Sequence, residues 1–130
     1  MTERQFLSNN AWFRRLPAKV LDQWVLAEHA CRQTQASDDS DFGAITVSFA
    51  KAVEGLFRGE INNEKASFRD IVDRLSSSQF AHLRLANDMR DLKRYRDRGA
   101  HSNGPAIQRW EMLGAREIAL KVLQRAATKS

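Results

Sequence analysis

Apolar residues recur at spacings of three and four along most of the chain, and no segment sustains period-two alternation. Such spacing gathers side chains on one face of a helix, so the pattern predicts helices and no strands. The strongest stripe is Phe42, Ile45, Phe49, Val53, Leu56 and Phe57, closed by Gly59 and the Asn62-Asn63 pair. Before it, Val20, Leu21, Trp24 and Val25 predict a helix running to about Gln35. Pro17 suits the first turn of that helix, where its missing N–H costs nothing. The polar stretch 36–41 separates the two helices and offers N-cap residues to the second.

A shorter helix is expected from about Glu64 to Leu75, with Phe68, Ile71, Val72 and Leu75 as its apolar face. Ser76 and Gln79 have the spacing of a capping box. They would open a fourth helix carrying Phe80, Leu83, Ala86, Met89 and Leu92 as far as Gly99. Beyond Asn103-Gly104-Pro105, a last helix carries Ile107, Trp110, Leu113, Ile118 and Val122. Residues 1–16 are ambiguous, although Ala11 to Leu16 fits a short helix that lays its aromatics on the core. The predicted fold is an all-α bundle of four to five helices over residues 17–130, preceded by the segment 1–16. Trp12, Trp24 and Trp110 share helical spacing with other apolar residues, so all three are assigned to the core.

Composition narrows the class further. A chain of 130 residues, 42% hydrophobic and 28% charged, has the size and balance of one soluble globular domain. No apolar run is long enough to span a bilayer, so no membrane partner is expected. Met1-Thr2-Glu3-Arg4 lacks a secretory pattern, and the lone Cys31 suits a reducing cytoplasm. The charge is unevenly placed. Residues 84–130 hold eleven of the 21 Lys and Arg but five of the 16 Asp and Glu, a net +6. The rest of the chain carries −1. That excess points to a polyanion such as nucleic acid, or else to a solvated helix face.

Several chemistries are set aside on motif grounds. There is no glycine-rich phosphate loop and no nucleophile elbow around any serine. Asp39-Ser40-Asp41-Phe42-Gly43 begins like a calcium loop, but Ala50 stands where the bidentate Glu is required. Those acidic residues instead suit a helix N-terminus. His29 and His82 have no second ligand at helical spacing, and neither a metal nor another cofactor is expected.

One segment remains, Tyr95-Arg96-Asp97-Arg98-Gly99-Ala100-His101-Ser102-Asn103, at the end of the most basic helix. Four residues separate Arg96 from His101. An arginine grips a phosphate bidentately at any relevant pH, and a histidine moves protons near neutrality. Together they suit phosphodiester chemistry at a ribose 2′-hydroxyl.

Arg96-x4-His101 resembles the R-x4-6-H motif of the HEPN superfamily (higher eukaryote and prokaryote nucleotide-binding domains). The likeness includes the polar Asp97 after the arginine, the small Ala100 before the histidine, and the position between two long helices. Helical organisation matches from about residue 17 to 126. The resemblance implies a metal-independent endoribonuclease, a toxin or defence component, acting as a homodimer with a composite site on the two-fold axis. It implies that Arg96 binds the scissile phosphate, that His101 is general base or acid in attack by the 2′-hydroxyl, and that Asp97 orients one of them. Glu54 matches an acidic residue on an early helix of the family and would support the site, with Asn103 near it. Arg90, Arg94 and Arg98 would guide the RNA backbone. An antitoxin or regulatory protein is an expected partner. Asn103 stands where members silenced by a partner nucleotidyltransferase carry tyrosine, so that mode of control is not implied.

The segment also has a plainer reading. Gly99 can be the C′ glycine of a helix whose last turn is basic because of its dipole, with His101 and Ser102 in a loop and Asn103 capping the next helix. The alternative function is a non-catalytic HEPN-like module that binds a nucleotide or a protein. A third reading is a nucleic-acid-binding bundle that uses Arg84, Arg90, Lys93, Arg94 and Arg98 and has no defined site.

Overall fold

The computed structural model describes residues 5, 9–35, 41–76, 85–100 and 106–128. A 3₁₀ turn, Ala11–Arg15, precedes five helices: α1 (Ala18–Arg32), α2 (Gly43–Glu60), α3 (Phe68–Leu75), α4 (Ala86–Ala100) and α5 (Arg109–Thr128). No strand occurs among the described residues, and the architecture is an all-α bundle.

Helix α2 is the centre of the bundle and packs against all four of the others. Its stripe is the reason, because Phe49, Val53 and Phe57 are fully buried with Ala50 and Ala52 between them. A chain of aromatic contacts extends this core outward. Trp24 lies with its ring centroid 4.8 Å from Phe49 and 5.9 Å from Phe13. Phe13 and Leu16 are buried, so the turn at Ala11–Arg15 belongs to the same core as the helices. Trp12 packs on its edge. Trp110 corrects the sequence expectation, since it is 66% exposed and its place in the core is taken by Met112 and Ala115.

The helix ends explain where the elements stop. Pro17 sits at the N-cap of α1. Asn62 adopts φ 54° just past α2, with Asn62 N–H bonded to Gly59 and Asn63 N–H to Arg58. Asparagine tolerates that left-handed conformation, and the two bonds satisfy the last carbonyls of the helix. A capping box is present at a helix start where none was expected. It is Ser67 with Asp70, opening α3 four residues after the expected start at Glu64. Ser76 closes α3 instead, donating its hydroxyl to the Val72 carbonyl at 2.9 Å. Gln79, Phe80, His82, Leu83 and Arg84 lie outside the described residues.

Gly99 does not break α4, which continues to Ala100. Its role is a close crossing. A Cβ added at Gly99 would meet the Gly43 carbonyl oxygen at 2.7 Å, and one added at Gly43 would meet the Gly99 oxygen at 2.9 Å. The end of α4 and the start of α2 therefore touch backbone to backbone. Gly99→Ala gains at most about 1 kcal/mol of helix propensity, whereas overpacking against rigid backbone costs about 1–3 kcal/mol. The variant is expected to unfold at lower urea than wild type. Gly55→Ala, with nothing within 4 Å of its Cβ, is expected to unfold at higher urea.

Candidate active site

The last two turns of α4 turn Lys93, Arg96 and Asp97 toward α2, where Glu54 is the partner. Glu54 occupies the apolar stripe between Ala50 and Phe57, and its side chain is only 4% exposed. A buried carboxylate needs cations, and two reach it. Arg58 donates Nη2 to Glu54 Oε2 at 2.9 Å and Nε to the Ala66 carbonyl at 2.8 Å. Arg96 places Nε 3.3 Å from Glu54 Oε1, an ion pair without hydrogen-bond alignment.

Asp97 holds Arg96 from the other side, accepting from its Nη1 at 3.2 Å and from Lys93 Nζ at 2.6 Å. Partial burial of Asp97 opposes its ionisation, but the hydrogen bonds from Lys93 and Arg96 prevail and hold its pKa below the ordinary value. Arg96 is thus gripped at two points while 36% of its side chain stays open to solvent. A fixed, partly exposed guanidinium is suited to receive an anion with little reorganisation. The cluster holds three cations against two carboxylates and remains attractive to one.

The backbone around this cluster is pinned at the start of α2. Asp41 Oδ1 accepts from Gly43 N–H at 2.9 Å and from Ile107 N–H at 3.0 Å. Phe42 N–H in turn donates to the Ile107 carbonyl at 3.0 Å. The end of α4 and the approach to α5 therefore meet at one point. His101 and Asn103 lie outside the described residues.

The other expected RNA contacts divide. Arg94 is 80% exposed and has a long 3.8 Å pairing with Asp91. Arg90 donates to Asn87 and to the Ser76 hydroxyl, both at 3.0 Å. Arg98 is committed elsewhere, because it grips the buried Glu111 of α5 bidentately through both terminal nitrogens. That bond raises the Arg98 pKa and lowers that of Glu111. A carboxyl with a lowered folded pKa stabilises the fold above the ordinary carboxylate range and loses that contribution as pH falls through it. Glu111→Gln is therefore expected to flatten the acid limb of a stability–pH curve. An unchanged limb would show that other carboxyls set it.

No family model, curated protein or solved structure matches this chain. The site must be read from its own geometry. Among the described residues, no group of three His, Cys, Asp or Glu could hold a metal ion, and no helix is long and apolar enough to cross a membrane. Arg58 is a member of the cluster that the sequence pattern did not single out, and Lys93, expected only as a nucleic-acid contact, joins the cluster through Asp97. Glu28 and Glu111, both buried, were missed as well. Their signal was present, since Glu28 continues the stripe of Leu21 and Trp24, and Glu111 that of Ala115 and Ile118. A glutamate on an apolar stripe announces a buried ion pair.

Proposed function

We propose that this protein is a HEPN-type, metal-independent endoribonuclease that acts as a homodimer, each copy contributing one Arg96 and one His101 to a shared cleft. The observation that carries the reading is the grip of Glu54 and Asp97 on Arg96, a short step along the chain from a histidine. Arg96 neutralises the scissile phosphate. His101 takes the proton of the 2′-hydroxyl, whose oxygen attacks the adjacent phosphorus. The 5′-oxygen leaves with a proton returned by an imidazolium, and a 2′,3′-cyclic phosphate remains. Asp97 and Glu54 act through Arg96 as positioning residues. Arg90 and Arg94 supply salt-sensitive attraction for the RNA backbone, while Arg98 serves the α4–α5 join.

A cytoplasmic toxin or defence setting, with an antitoxin or regulatory protein as partner, follows from the same reading. The test compares wild type with His101→Ala on mixed RNA in EDTA. Wild type is expected to cleave and the variant to be inactive. Equal activity, or none in wild type, overturns the proposal. Nucleotide or protein binding that survives His101→Ala, with no cleavage products in either protein, would assign the non-catalytic module instead.

A further inference from the structure

The face of α4 away from Arg96 borders a second concavity, which the mechanism does not use. A groove of about 310 Å³ runs between α4 and α5, lined by Asp91, Arg94, Tyr95, Arg98, Glu111 and Ile118. Its apolar surface comes from the Tyr95 ring and Ile118, both half-buried. Gly114 keeps the α5 wall low, because a Cβ there would stand 3.6 Å from the Tyr95 hydroxyl and a larger side chain would enter the groove. Trp110, Gly114 and Ile118 follow one another at i, i+4 and i+8, so they form one stripe along α5. At the head of that stripe the indole of Trp110 is 66% exposed.

Trp110 is exposed but not loose. Its Nε1 donates to the Gln108 side-chain oxygen at 2.8 Å, which orients the ring and uses its one donor. What the ring offers a ligand is its face. The charged groups around the groove are unequal. Arg98 and Glu111 satisfy each other, whereas Arg94 has the weak Asp91 pairing and projects into solvent. An oriented aromatic face, an apolar-floored groove and one available guanidinium suit a flat ring that carries a phosphate. The Asp91 carboxylate can accept from an exocyclic amino group on such a ring.

We infer that the α4–α5 groove and the Trp110 indole form a binding track for unpaired nucleotides: one base stacks on Trp110, a neighbouring base enters the groove against Tyr95 and Ile118, and Arg94 meets the phosphate between them. This rests on the RNA reading above and adds the single-stranded character of the substrate. The exposed ridge of α4, with Arg90 and Arg94, separates this track from the Arg96 cluster. A strand crossing that ridge would therefore reach both.

The experiment measures binding of a short fluorescein-labelled oligouridylate, 2′-O-methylated throughout so that no 2′-hydroxyl is free to attack, to the full chain at several salt concentrations. Trp110→Ala is expected to weaken binding about tenfold while leaving the salt slope unchanged, since stacking releases no counterions. Trp110→Phe should retain most of the affinity. Gly114→Leu should weaken binding by filling the groove, and it should not lower thermal stability because leucine favours a helix over glycine. Arg94→Ala should reduce the salt slope by about one. Unlabelled oligouridylate should quench wild-type tryptophan emission, which Trp110 supplies to the solvent-exposed side.

Equal affinity for wild type and Trp110→Ala overturns the inference. So does a change in oligomeric state by sedimentation with RNA affinity unchanged, which would make Trp110 a subunit contact. Binding that is lost in Arg96→Ala but intact in Trp110→Ala leaves the proposed function standing and removes only the track. Absence of oligouridylate binding in wild type removes both.

Discussion

Replacing Glu28 with alanine is expected to lower the unfolding free energy by about 3–5 kcal/mol, enough to threaten a domain of this size. Glu28 is 1% exposed, yet it is a carboxylate on the core side of α1. Arg116 of α5 answers it with two bonds of 2.7 Å, from Nε and Nη2 to the two carboxylate oxygens. Arg32, one turn along α1, adds a contact at 3.3 Å. The hydrogen bond to Glu28 raises the Arg116 pKa against the opposing effect of burial. Deleting the carboxylate leaves that guanidinium largely buried with only the exposed Glu117, at 3.0 Å from Nη1, to answer it, and the cost of the poorly compensated charge adds to the lost attraction.

Thermal unfolding followed by circular dichroism should show the midpoint falling by roughly 10 °C or more. Arg32→Ala should cost under about 1 kcal/mol, because Arg32 is half exposed and solvent screens its pairing. The double variant Glu28→Leu with Arg116→Leu should recover most of the lost stability, since it removes both charges together. A Glu28→Ala protein as stable as wild type would mean that the α1–α5 join rests on apolar packing alone.

Glu28 also marks the limit of what periodicity can reveal. Apolar spacing was sufficient to locate every described helix, because each must bury a stripe and the stripe is written in the residue types. It was less able to place helix ends, which depend on capping geometry. Ser67 has Asp70 at box spacing and opens α3, yet the apolar stripe alone does not distinguish that start from one at Glu64. Gly99 was misread for a related reason. A glycine near the end of a basic helix suits a C′ position, but here its missing side chain serves a contact with Gly43 that is remote in sequence.

Trp110 shows the reverse error. Helical spacing links it to Leu113 and Ile118, yet those residues are themselves only half-buried, and the buried line of α5 runs through Met112, Ala115 and Ala119. Alanines carry little hydrophobic signal, so the larger residues beside them drew the assignment. The Arg96 cluster was legible in part. Arg96, Asp97 and Glu54 are expected from the resemblance, and the pairs Glu54–Arg58 and Lys93–Asp97 stand at i, i+4 within one helix each; only the contact between Arg96 and Glu54 needs α2 and α4 packed together.

On the proposed ribonuclease reading, Arg96→Ala is expected to reduce RNA cleavage by about 100- to 1,000-fold, the scale seen when one preorganised donor to a developing charge is lost. Lysine should not rescue it. An ammonium is a single point of charge, whereas Arg96 contacts Glu54 through Nε and Asp97 through Nη1 and still has a terminal nitrogen to offer. Glu54→Gln separates positioning from folding. The amide keeps the shape but has one acceptor oxygen, so it can face Arg58 or Arg96 with that oxygen and not both, and it no longer attracts them as an ion. Arg96 then keeps its charge and loses its fixed direction. Cleavage should fall by about 10- to 100-fold, the range for loss of a residue that orients a functional group. Affinity for RNA should change little, because the number of cations facing the phosphates is the same. A fall in kcat at nearly constant KM is therefore the expected signature, with the helical circular dichroism spectrum retained. Equal losses in kcat and in thermal stability would instead make Glu54 a fold-holding residue, and full activity in Glu54→Gln would show that Asp97 alone aims the guanidinium.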